Sequence, residues 1–134
     1  VGDRWTANII ALAFHGLKRF DAFHAELPVA TNILSDRLRL LVTEGVFSQR
    51  SYQQRPLRYE YHLTERGADL FPWFLALQQW GDRWCDPQGK GPPIDAIHQD
   101  CGQHLSASVC CNCCGGALQA HEVSFTLSGR QAAL

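Results

Sequence analysis

Residues 31–44 read Thr31-Asn32-Ile33-Leu34-Ser35-Asp36-Arg37-Leu38-Arg39-Leu40-Leu41-Val42-Thr43-Glu44, and Gly45 follows. Setting Leu34 at zero and turning about 100° per residue brings Leu38, Leu41 and Val42 within about 80° of it. The opposite face carries Asn32, Asp36, Arg39 and Thr43, with Ser35 at its border. The pattern predicts an amphipathic helix over 31–44, capped by Thr31 and stopped by Gly45. Next come Val46-Phe47-Ser48-Gln49-Arg50 and Arg58-Tyr59-Glu60-Tyr61-His62-Leu63, joined by a polar tip from Ser51 to Leu57 that holds Arg55 and Pro56. In the second segment Tyr59, Tyr61 and Leu63 alternate with Arg58, Glu60 and His62, as in a half-buried hairpin strand. A polar-faced helix followed by an arginine-bearing ribbon has the shape that fits the grooves of DNA. Taken alone, the polar face and the exposed hairpin also fit an ordinary solvated surface. The short helix before them favours the groove-binding reading.

Working outward, Asp3 is placed to cap a first helix in which Trp5, Ile9 and Leu12 recur at helical spacing, up to Gly16. A second short helix is expected from Arg19 to Leu27, with Phe20, Phe23 and Leu27 on one face and Pro28 closing it. Beyond the hairpin, Thr64 is expected to cap one long helix reaching Trp84, with Pro72 in its first turns or kinking it. Its apolar residues cover more than one stripe, so it is expected to be buried on two sides. In a domain this small the second side is most simply a partner subunit, with Phe71, Phe74, Leu77, Trp80 and Trp84 as the dimerisation residues. A central helix of a monomeric core is the alternative.

The 134 residues allow one core plus a small appendage, and 46% hydrophobic with 19% charged residues is a globular composition. No apolar run reaches the roughly 18–20 residues of a membrane span. The start, Val1-Gly2-Asp3, has no signal-peptide pattern, and without an initiator Met an upstream segment is left open. The net charge of −1 gives no whole-chain support for a nucleic-acid partner. From Lys18 to Arg66, however, eight Lys/Arg face six Asp/Glu, a local balance of +2. The first 84 residues hold no cysteine and a rich apolar pattern, so no disulfide framework is needed and a reducing cytoplasm is expected.

Residues 86–93, Asp86 to Pro93, read as a linker, and the composition changes after them: aromatics nearly vanish and cysteines appear. The expected division is a domain at 1–89 and a small zinc-ribbon-like or β-hairpin extension at 90–134. In the extension, His98-Gln99-Asp100-Cys101-Gly102 and Cys111-Asn112-Cys113-Cys114-Gly115 share the form ligand-x-x-Cys-Gly. Two donors three positions apart on a tight turn can grip one metal, and the glycine lets the backbone turn. His98, Cys101, Cys111 and Cys114 would suit tetrahedral Zn2+. Cys110 and Cys113 form a competing pair, His104 and His121 are spare candidates, and free thiols or a thiol switch are the other readings. The stretch 123–127 alternates like a strand and is expected to pair near Leu118. No catalytic constellation is present, so no enzyme and no required cofactor are expected.

Together these residues resemble the HxlR-type branch of winged helix-turn-helix transcriptional regulators, close in fold to MarR-type proteins. The motifs are Gly2-Asp3-Arg4-Trp5, Leu34-Ser35-Asp36-Arg37-Leu38, Glu44-Gly45-Val46, Arg55-Pro56-Leu57-Arg58-Tyr59-Glu60-Tyr61, Leu63-Thr64-Glu65-Arg66-Gly67 and Trp80-Gly81-Asp82-Arg83-Trp84. Gly91-Pro92-Pro93 and the cysteine tail resemble an extension found in some members. The resemblance implies an α+β, mainly α, winged fold with a long C-terminal dimerisation helix. It implies a cytoplasmic homodimer binding double-stranded DNA, with the helix near 31–44 in the major groove and the hairpin as the wing. The expected DNA contacts are Thr31, Asn32, Ser35, Asp36, Arg37 and Arg39 from the helix and Arg50, Arg55 and Arg58 from the wing. Family members usually carry a segment before the Gly-Asp-Arg-Trp motif, often with a redox-sensing cysteine; it is absent from this sequence. A small-molecule or redox effector is compatible with this reading but is not identified by it. The alternatives are a winged module that binds protein rather than DNA, and a metal- or thiol-responsive sensor on the same fold.

Overall fold

The computed structural model describes residues 3–86, 88–89, 95–127 and 130–132. Gly2 of the first motif, most of the expected linker and Gly91-Pro92-Pro93 lie outside the described residues. The elements run α1 (Arg4–Phe14), α2 (Phe20–Glu26), α3 (Thr31–Thr43), β1 (Phe47–Gln54), β2 (Leu57–Leu63), α4 (Glu65–Ala68), α5 (Phe71–Trp84), β3 (Phe125–Leu127) and β4 (Arg130–Ala132). This is the mixed α and β composition expected, with helix dominant. The chain divides into two compact units, Val1–Phe74 and Leu75–Leu134, parting within α5.

In the first unit the apolar pattern does what its spacing predicts. Leu34 and Leu38 of α3 are fully buried and Leu41 nearly so, together with Ile9 and Ile10 of α1, Phe23 of α2 and Phe47 of β1. Each such side chain contributes roughly 1.5–3 kcal/mol by leaving water. The Phe23 and Phe47 rings lie 6.4 Å apart, joining the helical layer to the hairpin. Asp3 caps α1 as expected, accepting from the Trp5 and Thr6 amides at 3.1 Å each. The Thr6 hydroxyl donates to the same carboxylate, which satisfies the buried polar group of the core.

Four details depart from the sequence-based expectation. Thr31 does not cap α3: Ala30 is the N-cap, without a side-chain bond, and Thr31 is the first helical residue. The hairpin strands are longer than expected, pairing from Phe47↔Leu63 to Gln54↔Leu57, so the tip shrinks to Arg55-Pro56, whose peptide is cis. A register shift between Ser51 and Gln53 absorbs the extra residue. The expected long helix is broken into α4 and α5. Pro72 has no N–H to continue a helical ladder and sits in the first turn of α5, where none is needed. In the tail, β3 pairs with β4, whereas Leu118 donates to Val109.

The sequence also hid a third edge of the wing. Tyr61 N donates to Lys18 O at 2.7 Å, and Arg19 bridges antiparallel to Glu60. Two residues are too short to show any period, and Arg19 had read as the start of a helix. At the other side of the wing, Thr64 caps α4 by accepting from the Gly67 amide at 3.1 Å, while its hydroxyl reaches Val46 O at 3.1 Å. Gly67 packs against Val46 so closely that a Cβ would stand 2.3 Å from Val46 O.

In the second unit, Gln79 on α5 acts as a surrogate strand partner. Its amide donates to Leu105 O and accepts from Ala107 N, both at 2.7 Å, and so ties the segment 105–107 to the helix.

Candidate nucleic-acid interface

Burial of Leu34, Leu38 and Leu41 leaves the other face of α3 outward. Thr31, Asn32, Asp36, Arg39 and Thr43 are exposed there and Ser35 is half-buried. Arg39 Nη1 lies 3.3 Å from Asp36 Oδ1, with both side chains mostly in solvent. An exposed pair of this kind is worth about 0–1 kcal/mol, so a base edge or phosphate competes with it readily. Arg37 is placed differently. Its Nε stands 3.3 Å from Asp3 Oδ1, a charge contact without the alignment of a hydrogen bond, and it ties α3 to the cap of α1. The Thr6 hydroxyl does most to hold the Asp3 carboxyl below its ordinary range; burial opposes it, and the Thr6 amide, the Arg37 guanidinium and the Trp5 amide add to the lowering.

The wing presents Arg50, Arg55 and Arg58 exposed. Among the described residues none of the three forms an ion pair. Glu60 lies across the ladder from Arg50 but is turned to His62 at 2.9 Å and Arg19 at 3.6 Å. The His62 hydrogen bond, then the charges of His62, Arg19 and Lys18, keep the Glu60 carboxyl below its usual value. The Arg19 guanidinium also stacks 4.1 Å over the Tyr52 ring. Sequence reasoning placed Tyr52 in the hairpin but missed Arg19 as part of the wing, and only the charge of Arg19 hinted at it.

The expected dimerisation residues separate into two groups. Phe74 belongs to the chain's own core, 5.0 Å from the Phe14 ring in a stacked pair, whereas Phe71, 5.7 Å from the Phe14 ring, is still 39% exposed. Leu77, Trp80 and Trp84 are 49%, 57% and 66% exposed, and Trp73 is 37% exposed. The spacing 73, 77, 80, 84 is one continuous stripe along α5.

The expected metal ligands are brought together as pairs. His98 Nδ1 lies 3.2 Å from Cys101 Sγ. The backbone N–H groups of Cys114 and Cys113 and the Cys114 thiol hold the Cys111 thiol below its ordinary value, in that order of effect. All six cysteines are free thiols. Among the described residues, no three His, Cys, Asp or Glu side chains gather as a metal shell, so the two pairs are not joined to each other.

A buried three-helix layer with a two-stranded wing and a short third edge is the winged helix-turn-helix arrangement. The HxlR-like helix-turn-helix model matches residues 1–89. The chain belongs to the HxlR-like helix-turn-helix family. Among HxlR-like relatives, an uncharacterised HTH-type transcriptional regulator of Mycobacterium tuberculosis is 42% identical over 124 residues, covering 92% of this chain and 78% of that protein. The crystal structure of PA1607, described as a candidate transcription factor, superposes with a TM-score of 0.80 at 33% identity, covering 93% of this chain and 87% of that one. The redox regulator HypR in its reduced form superposes with a TM-score of 0.60 at 32% identity, over 64% of this chain and 86% of HypR. The likeness to PA1607 extends beyond residues 1–89, so the tail has a counterpart there. Among the described residues no helix is long and apolar enough to cross a membrane.

Proposed function

We propose that this HxlR-like transcriptional regulator works as a homodimeric repressor that reads a pseudo-palindromic DNA operator. The observation that carries the reading is the division of α3, with one face locked into the core and the other presenting Asn32, Asp36 and Arg39 to solvent beside an arginine-bearing wing. Two copies of α3 would sit one helical turn apart, roughly 34–36 Å. Asn32, Ser35 and Arg39 would reach base edges, since Asn suits adenine and Arg suits guanine. Arg50, Arg55 and Arg58 would contact phosphates or a narrow minor groove. Arg37, engaged with Asp3, supports the helix rather than touching a base. The stripe Trp73, Leu77, Trp80 and Trp84 is the dimer face on this reading.

The test is a salt-titrated binding series on a fragment selected from the source genome. Arg39→Ala should cost about 1–3 kcal/mol and relax specificity, whereas Arg55→Ala should weaken all sequences alike and reduce the salt slope by about one. If neither change alters binding, the assigned faces are wrong. Absence of any competitor-resistant complex would favour a winged module that binds protein. The likeness to HypR, a redox regulator, keeps a thiol-responsive effector within this reading.

A further inference from the structure

The tail contains a structural repeat with a period of 13 residues. Leu105 N bonds Ala96 O and Leu118 N bonds Val109 O, both at 2.8 Å. Ile97 bridges His104, and Cys110 bridges Ala117. His98 N bonds Gln103 O and Cys111 N bonds Gly116 O, both at 2.9 Å. Gly102 N closes on His98 O and Gly115 N on Cys111 O, both at 2.8 Å. The two glycines have φ of +72° and +73°, a left-handed conformation that side chains rarely adopt. One miniature hairpin has therefore been built twice, and the residues at its first and fourth turn positions are His98 with Cys101 and Cys111 with Cys114.

Each of these four positions carries a nitrogen or sulfur donor. With Zn–N of about 2.0 Å and Zn–S of about 2.3 Å, two neighbours on a tetrahedral ion stand roughly 3.5 Å apart. His98 Nδ1 and Cys101 Sγ are 3.2 Å apart, so the first turn is already at chelate spacing. On the other side of the ring, Asp100 Oδ2 lies 3.9 Å from His98 Nε2, where the second nitrogen of a metal-bound histidine commonly finds a carboxylate. In the second turn the same backbone bonds, from Cys111 N to Gly116 O and from Gly115 N to Cys111 O, set Cys111 and Cys114 at the positions that His98 and Cys101 hold in the first. Cys110 lies outside the turn, in the bridge to Ala117, and Cys113 falls at its third position.

We propose that the two turns are the halves of one structural Zn2+ site, liganded by His98, Cys101, Cys111 and Cys114 of the same chain. All four coordination positions come from protein, which is the pattern of a structural rather than a catalytic ion. The pairs are not joined in this structure, so metal binding draws one hairpin onto the other across the segment 105–109. The ion then staples a tail whose large apolar residues are exposed, among them Ile97, Val109 and Phe125. The inference does not depend on the DNA reading.

The test titrates the reduced, chelator-treated full chain with Co2+ and displaces it with Zn2+. The expected result is about one equivalent per chain, with a thiolate-to-cobalt charge-transfer band and tetrahedral d–d bands. Cys101→Ser, Cys111→Ser and Cys114→Ser should each lose more affinity than the 10–100-fold that changes outside the ligand shell cost. Cys85→Ser, Cys110→Ser and Cys113→Ser should bind as the parent does. His98→Cys should keep the site and intensify the charge-transfer band, since a thiolate replaces a nitrogen; this gain remains readable if a serine variant fails to fold. Three results would overturn the proposal: no tetrahedral cobalt spectrum, loss of binding in Cys113→Ser but not in Cys114→Ser, or saturation at half an equivalent, which would place the two turns on different chains.

Discussion

Substituting Gly67 by Ala should destabilise the winged unit, although Ala is the better helix former. A Cβ at this position would lie 2.3 Å from Val46 O, 3.0 Å from Leu63 Cδ2 and 3.2 Å from Val46 C. The first of these is backbone and cannot rotate away. Restoring ordinary contact at 3.4 Å requires α4 and the base of β1 to part by about 1 Å. That movement strains the bonds from Thr64 N and Thr64 Oγ1 to Val46 O, each 3.1 Å long, and with them the cap of α4. Overpacking costs about 1–3 kcal/mol. Weakening the cap costs about 1 kcal/mol more. Helix propensity returns about 1 kcal/mol. The net loss is about 1–3 kcal/mol, or a fall in Tm on the order of 10 °C for a unit of this size. The assay is thermal unfolding by circular dichroism, with Gly81→Ala as the control. Gly81 also lies in a helix, but its Cβ would meet nothing within 4 Å, so this second change should raise stability by roughly 0.5–1 kcal/mol. If Gly67→Ala melts at or above the parent temperature, the close approach of α4 to β1 is not what holds the wing in place.

Other outcomes follow from the same geometry. Asp3 has a folded pKa below its unfolded value, so its stabilising effect is present above that unfolded value and is lost as pH falls through the folded pKa. Asp3→Asn should therefore be less stable than the parent at pH 7, with the gap closing in acid; a gap that persists unchanged down to pH of about 2 would assign the effect to shape rather than charge. Gln79→Leu should leave Leu105 O and Ala107 N without their partner, at roughly 1–3 kcal/mol for each group that water does not replace. Faster amide exchange at Ala107 reads this directly, and unchanged protection there would refute the clamp. Trp80→Glu should convert a dimer to a monomer by light scattering and weaken operator binding, while leaving the winged unit's melting intact. A dimer that survives it moves the interface off α5.

Much of the first unit was legible in the sequence because its elements are amphipathic and long enough to show a period. Leu34, Leu38 and Leu41 announced the buried face of α3, and Asp3 and Thr64 announced the starts of two helices. Ser51 to Leu57 misled, since a polar, proline-bearing run reads as a loop even when most of it is paired as strand. Phe74 misled for another reason. Hydrophobicity says that a side chain leaves water, but not whether it does so against its own chain or another.

The sequence by itself determined the alternation of the elements, the polar face of α3 and the ligand-x-x-Cys-Gly form of the two turns. These are local properties, carried by period, charge and glycine. Tertiary structure decided what local properties cannot express: that Lys18 and Arg19 complete the wing, that Arg37 reaches Asp3 of the first helix cap, that Glu60 pairs with Arg19 across the wing, and that the ladder of hydrogen bonds around His98 recurs around Cys111. In each case the deciding partner is remote in sequence, or the match lies in backbone conformation. Only folding brings such partners to within 4 Å or sets such dihedrals.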